Sequence, residues 1–312
     1  MSSRHSALAG LSVFERGWLS SNNVLIDERG GGATLIDSGH SAHAEQTVAL
    51  VRSVLQSSGR GLARVLNTHL HSDHCGGNAA LQREFGAHVS IPPGLWDAAL
   101  RWDEQALGYA PIGQRCERFE PQGRIVPGEP LHLGGRRWEV LPSPGHDPHS
   151  VILFDAGQGV LISADALWED GYGVVFPELA GEPGFDDVQA VLDLIASLPV
   201  QYVIPGHGAP FTDCAGALQR ARALLAKQRA NPAGHGRHAT KVLIKYRLME
   251  EREQSLDELC AWAIERPMLA RAFRGQPQGA GSSMRAWCEQ LTLELVQRGA
   301  LALHDGVVRD VA

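Results

Sequence analysis

Three histidines and one aspartate fall within six residues in the stretch Asn67-Thr68-His69-Leu70-His71-Ser72-Asp73-His74-Cys75-Gly76-Gly77. Imidazole nitrogens and carboxylate oxygens are the donors that zinc and similar borderline metals prefer. Such a cluster offers metal-assisted activation of water, and the chain carries no GxSxG elbow for a serine nucleophile. The apolar run Ala63-Arg64-Val65-Leu66 just before it reads as a buried strand closed by turn-forming residues. His69 and His71 are two apart, so extended backbone points them the same way. Gly76-Gly77 gives the chain freedom to start a helix beside Asp73 and His74.

Three later segments place further donors just after short apolar strands. Pro144-Gly145-His146 follows Trp138-Glu139-Val140-Leu141, Ser163-Ala164-Asp165 ends Val160-Leu161-Ile162, and Pro205-Gly206-His207-Gly208 ends Tyr202-Val203-Ile204. With His69-x-His71-x-Asp73-His74 leading them, these motifs resemble the metallo-β-lactamase superfamily of HxHxDH type over about residues 10–230. The resemblance implies a four-layer αββα sandwich. It also implies two divalent metal ions, one on His69, His71 and His146, the other on Asp73, His74 and His207, with Asp165 bridging. Asp73 and Asp165 would be the catalytic carboxylates. Asp37, in Leu35-Ile36-Asp37-Ser38-Gly39, would orient a ligand from behind; the residue alone reads equally as a strand-end cap. His71 stands where the diiron oxidoreductases of the superfamily tend to carry glutamate, so zinc is the expected metal, with iron or manganese as alternatives. Ala164 replaces the glycine usual before the bridging aspartate.

The chain has 312 residues, 44% hydrophobic and 20% charged, with a net charge of −7. This length suits one large or two modest domains, and the charge offers no bulk attraction to nucleic acid or anionic membrane. Five cysteines without CxxC spacing argue against a disulfide framework. Cys75 touches the metal motif and reads first as a packing residue, with a metal or redox role as the alternative. The N-terminal Met1-Ser2-Ser3-Arg4-His5-Ser6-Ala7 has no apolar signal core, and no stretch reaches the roughly 20 apolar residues of a membrane span. The expected location is cytoplasmic, with no membrane partner.

The elements that must position the motifs follow in order. Leu11–Phe14, Asn23–Ile26 and Ala33–Asp37 read as an antiparallel start, the last two joined by the turn Glu28-Arg29-Gly30-Gly31-Gly32. Ser41 is the expected cap of a helix over 42–56. Helices are also expected near 76–85, from Asp186 to before Pro199, and over Asp213–Arg229. Residues 94–124, with Trp96, Trp102, Tyr109 and Phe119, and Trp168 to Phe185, with Tyr172 and Phe176, are candidate lids; packing is the competing reading for the first. His149 reads equally as pointing to the pocket or as a loop histidine, and it stays outside the ligand set.

Residues 1–230 are the expected catalytic domain and 231–238, with His235 and His238 solvated, the linker. Helices near 239–250, after Ser255 and near 283–298, with a hairpin around Asp305-Gly306, make 239–312 look like a winged helix. That module has 10 basic and 10 acidic residues from 238 to 312. Its neutrality favours packing on the catalytic domain, pocket closure or a homodimer contact over nucleic-acid binding. The leading functional expectation is a metallo-hydrolase of a small ester, thioester, lactone or related substrate. The layout also resembles the lactamase-like endoribonuclease and thioesterase group, so RNA cleavage is one alternative and a non-catalytic metal sensor another.

Overall fold

The computed structural model describes residues 6–28, 30–56, 59–277 and 281–311. Most of the N-terminal segment lacking a signal core, residues 1–5, and Arg29 of the Glu28–Gly32 turn lie outside them. Strands β1 (Leu11–Phe14), β2 (Asn23–Asp27), β3 (Gly32–Ile36), β4 (Gly61–Leu66), β5 (His88–Ile91) and β6 (Pro121–Arg124) form one sheet in that order. It begins antiparallel and becomes parallel from β3 onward. Strands β7 (Leu131–Leu133), β8 (Arg136–Pro142), β9 (Val151–Asp155), β10 (Val160–Ala164) and β11 (Tyr202–Pro205) form the second, ordered β11-β10-β9-β8-β7.

The near-continuous apolar runs of these strands follow from burial on both faces. Alternate residues divide between layers, as the two-residue side-chain period requires. Val24, Ile26, Val151, Leu153, Val160 and Ile162 meet in the core between the sheets. Leu25, Leu35 and Val65 face outward under helices Ala44–Gln56 and Asn78–Phe85. Phe154, Leu161 and Val203 do the same under helices Phe185–Ser197 and Cys214–Ala230. The result is the expected αββα sandwich.

Several local expectations shift. Ser41 does not cap the first helix. His40 accepts the Ala42 N–H at Nδ1, a 3-10 turn spans Ser41–His43, and the helix proper is Ala44–Gln56. The Gly76-Gly77 pair keeps ordinary helical torsions, φ −63° and −83°. Small size is what matters there, since a Cβ would sit 2.4 Å from Ser41 N at Gly76 and 2.4 Å from Ser38 O at Gly77. In the 94–124 stretch Tyr109 and Phe119 are buried, and Trp102 packs edge-on against Phe119. These aromatics belong to the core outside the first sheet rather than to a lid.

Residues 231–238 are not a linker. Asn231 caps helix Pro232–Glu251 by accepting the Gly234 N–H, and Pro232 takes the first-turn position where its missing N–H does no harm. His235 is buried and bonds Val175 O through Nε2 at 3.2 Å. Helices Leu256–Ile264, Pro267–Arg274 and Met284–Gln297 follow, the second of them unforeseen. Strands β12 (Glu253–Ser255), β13 (Leu301–His304) and β14 (Val307–Asp310) pair in the order β12-β14-β13, with Asp305-Gly306 turning the hairpin. This region has its own apolar cluster around Leu243, Trp287 and Leu291, which takes in Ile112 and Leu179 from the sandwich. Among the described residues, no helix is long and apolar enough to cross a membrane.

Candidate metal centre

All seven residues singled out as ligands converge. The loop after β4 carries His69, His71, Asp73 and His74; His146 follows β8, Asp165 follows β10 and His207 follows β11. Their donor atoms form two groups, His69–His71–His146 and Asp73–His74–Asp165–His207, each within 4.8 Å. His71 Nδ1 lies 2.7 Å from His146 Nε2 and 3.1 Å from His69 Nε2. Asp165 joins the groups, with Oδ2 at 3.2 Å from His146 Nε2 and Oδ1 at 3.3 Å from His74 Nε2. His207 Nε2 lies 3.0 Å from Asp73 Oδ2.

What lies behind the donors aims their lone pairs. Asp37 Oδ2 accepts from His74 Nδ1 at 2.7 Å and from Thr68 Oγ1 at 2.8 Å, while Thr68 Oγ1 lies 3.2 Å from His69 Nδ1. One buried carboxylate thus orients two imidazoles, one directly and one through a hydroxyl, as outer carboxylates of metal sites do. His146 Nδ1 donates to Val174 O at 2.7 Å, which leaves Nε2 free for the site. Trp168 Nε1 donates to Asp165 Oδ1 at 3.2 Å. Asp147, which the sequence reading passed over, stands 3.9 Å behind His71 Nε2.

The backbone is bent to fit. Ala164 adopts φ +44° and Asp37 φ +56°, in the left-handed region that favours glycine. At Gly206 a Cβ would fall 2.2 Å from Asp165 Oδ1, and at Gly173 2.4 Å from His146 Nδ1. The glycine usual before the bridging aspartate therefore has a conformational reason, and this chain bears an alanine under strain.

The donor set suits cations. Burial, aided by the other histidines, holds His69 well below the ordinary imidazole range, and burial with His146 brings His71 down to about 4. Burial alone would raise Asp73, but His74 and His207 outweigh it and hold it at about 2; Asp165 is held low in the same way. Burial opposes charge on His74, yet Asp165, Asp37 and Asp73 raise it well above its usual value. Three carboxylates thus crowd one imidazole, and among the described residues the buried His74 Nε2 makes no well-aligned hydrogen bond, although Asp165 Oδ1 lies 3.3 Å away. A metal lone-pair acceptor answers both the charge and the orphaned nitrogen.

Above this floor opens a cavity of about 380 Å³. His71, Asp73, His146, Asp165 and His207 line it, while His69 and His74 lie beneath. Trp18 stacks on His207 at 5.4 Å, Trp168 meets the same ring edge-on, and Phe176 packs against His71 and His146. The 168–185 segment therefore borders the site, as expected; of the 94–124 stretch only Gln114 lines the cavity. The far wall comes from the C-terminal region, and pocket closure is one of the roles its neutral charge suggested: helix Pro232–Glu251 supplies His238, Lys241, Val242, Tyr246 and Met249. Tyr246 Oη meets Ser72 Oγ at 2.7 Å, inside the metal motif. Trp18 carried no signal in the sequence beyond being a lone aromatic between two strands. His149 is exposed, with its N–H on Asp147 Oδ1.

The family model described as the metallo-beta-lactamase superfamily matches residues 16–207. The chain belongs to that superfamily. Among curated relatives, the hydroxyacylglutathione hydrolase of Acidiphilium cryptum (strain JF-5) is 26% identical over 200 residues, 64% of this chain and 69% of that one. The acyl-coenzyme A thioesterase MBLAC2 of Homo sapiens is 24% identical over 166 residues, 50% of this chain and 60% of that one. Among solved structures, a beta-lactamase domain protein from Burkholderia ambifaria aligns over 97% of this chain and 91% of its own, with TM-score 0.56 and 21% identity. TTHA1623 in a di-iron-bound form aligns over 67% of this chain and 98% of its own, with TM-score 0.53 and 26% identity. The metallo-beta-lactamase fold is thus common ground, and the two donor clusters of this chain are consistent with a dinuclear metal site.

Proposed function

We propose that this metallo-beta-lactamase superfamily member is a dinuclear metallo-hydrolase of thioesters or related esters with an apolar acyl group. The observation that carries the reading is the convergence of seven donors, six buried and His71 half-buried, at the floor of a cavity walled by Trp18, Trp168, Phe176, Val242 and Met249. His69, His71 and His146 would hold one ion and Asp73, His74 and His207 the other, with Asp165 between; zinc suits these nitrogen and oxygen donors best. When bound, such ions supply Lewis acidity and a water ionised near neutral pH. The chain's own residues do the rest. Asp37 and Val174 O aim the imidazoles, the Trp168 N–H steadies Asp165, and the aromatic collar excludes bulk solvent from the reacting bond. Asp73, at the cavity edge of the floor, is placed to take or steer a proton. The hydroxyacylglutathione hydrolase and acyl-coenzyme A thioesterase relatives support a thioester.

The rim supports a leaving group bearing carboxylate or phosphate. Lys241 shares Glu294 with Arg237, two cations on one carboxylate, and Arg298 has no ion pair among the described residues. The order of helices, β12 and terminal hairpin supports a winged-helix-like module. It serves here as the cavity wall, and its neutral charge disfavours nucleic acid. The deciding experiment is metal analysis with a chromogenic panel of esters, thioesters, lactones, phosphodiesters and RNA, run on the native chain and on Asp165→Ala. Thioester turnover that Asp165→Ala abolishes is the expected result. Turnover of RNA alone would transfer the site to a nuclease, and two bound metals with no turnover would leave a sensor.

A further inference from the structure

Cys75 and Cys116 are distant in sequence and neighbours in space. Their sulfurs lie 3.8 Å apart. Cys75 is buried directly behind the metal motif, its Sγ against Leu70 O at 3.4 Å, His71 O at 3.3 Å and Tyr109 Oη at 3.2 Å. Cys116 is half-buried, at the surface end of the pair. Its surroundings reach two walls of the cavity. Gln114 Oε1 faces Ser72 N at 3.5 Å, and Arg115 pairs with Glu251 of helix Pro232–Glu251 at 2.6 Å.

We propose that Cys75 and Cys116 form a peroxide-sensitive thiol pair, a covalent modification site whose disulfide ties the metal-bearing loop to the segment joining it to the cavity wall. The more accessible Cys116 reacts first: its sulfur attacks hydrogen peroxide, the O–O bond breaks, Cys116 becomes the sulfenic acid, and the other oxygen leaves as water with the thiol proton. Cys75 Sγ then attacks Cys116 Sγ; the S–O bond breaks as the S–S bond forms, and the Cys75 proton leaves with the hydroxyl as a second water. Two thiols are oxidised and one peroxide is reduced. The sulfurs must close from 3.8 Å to about 2 Å, a movement within reach of side-chain rotation and a small shift of the 113–117 backbone. The resulting bond closes a loop of some forty residues, which restricts the unfolded chain. Nothing in this inference requires the hydrolase reading, because neither sulfur belongs to the seven donors.

The full-length, metal-loaded protein is reduced, desalted and treated with a small excess of hydrogen peroxide. Free thiols are counted in denaturant, the cross-linked peptides mapped, and the melting temperature recorded. Of the five cysteines, two are expected to disappear as an intramolecular Cys75–Cys116 link that dithiothreitol reverses, leaving three. The melting temperature should rise by roughly 5–10 °C. Cys116→Ser, a change at a half-buried position that leaves the core intact, should keep its four thiols at the same peroxide dose and show no such rise. The proposal is overturned if all five thiols survive, if the link forms between Cys260 and Cys288 or between two chains, or if Cys116→Ser loses thiols as fast as the native protein.

Discussion

The floor and the far wall of the cavity are built by opposite means. The floor is polar and largely buried. Five donors sit on loops that leave strand ends, Asp73 and His74 sit in the single helical turn Ser72–Cys75, and Asp37, Thr68, Val174 O and Trp168 orient several of them from behind. The wall is one face of helix Pro232–Glu251, apolar at Val242 and Met249 and cationic at Lys241, with Val242 partly open to solvent. A group that must point within tens of degrees is held by hydrogen bonds from behind. A surface that need only exclude water and accept a chain of carbons can be held chiefly by packing, with the Tyr246–Ser72 and Arg115–Glu251 contacts tying the helix to the sandwich. Chemistry and selectivity can thus be altered separately here, which makes the contrast testable.

The largest effect belongs to the floor. Asp165→Ala should lower kcat/KM by at least the ~10²–10³-fold typical of losing one preorganised electrostatic group, and should lower the bound metal measured by elemental analysis. Retention of both metals with full activity would remove Asp165 from the bridging role. Next comes Asp37→Ala. Losing the carboxylate that orients His74 and, through Thr68, His69 should weaken metal binding by roughly 10–100-fold in a chelator competition. An unchanged affinity would reduce Asp37 to a strand-end cap.

The wall should answer differently. Val242→Ala with Met249→Ala should raise KM for long-chain acyl thioesters while kcat and metal content hold, the pattern of lost uniform binding. A fall in kcat instead would mean that the helix positions the floor as well, through the Tyr246–Ser72 contact. The smallest effect is at Ala164. Its φ of +44° should make Ala164→Gly neutral or stabilising by up to about 1 kcal/mol in thermal unfolding, where the same change inside a helix destabilises. Clear destabilisation would show that the alanine methyl packs better than its backbone strains.

Much of the floor was legible because strand-end motifs are local. A short apolar run, a turn and a donor recur at His69, His146, Asp165 and His207, and the resemblance to the superfamily marks them as one ligand set. The wall helix was legible over 239–250, and its earlier start was hidden for a reason equally local. Asn231, Pro232, Gly234 and Gly236 are turn formers by composition, yet Asn231 and Pro232 also suit a helix start, and Gly234 leaves room for the capping side chain. Only the packing of Leu243, Ile244 and Leu248 onto the C-terminal cluster selects the helix. The aromatics of 94–124 left lid and packing both open, since an aromatic-rich irregular stretch reads alike whether it faces a pocket or a core.

By itself the chain determined its donors, their order and the strands that end in them, because each depends on neighbours within a few residues. Tertiary structure decided which residues stand behind those donors, which helix closes the cavity, and that Cys75 faces Cys116. Such contacts join segments dozens to hundreds of residues apart, and their register is set by how whole layers pack, a quantity that no local pattern encodes.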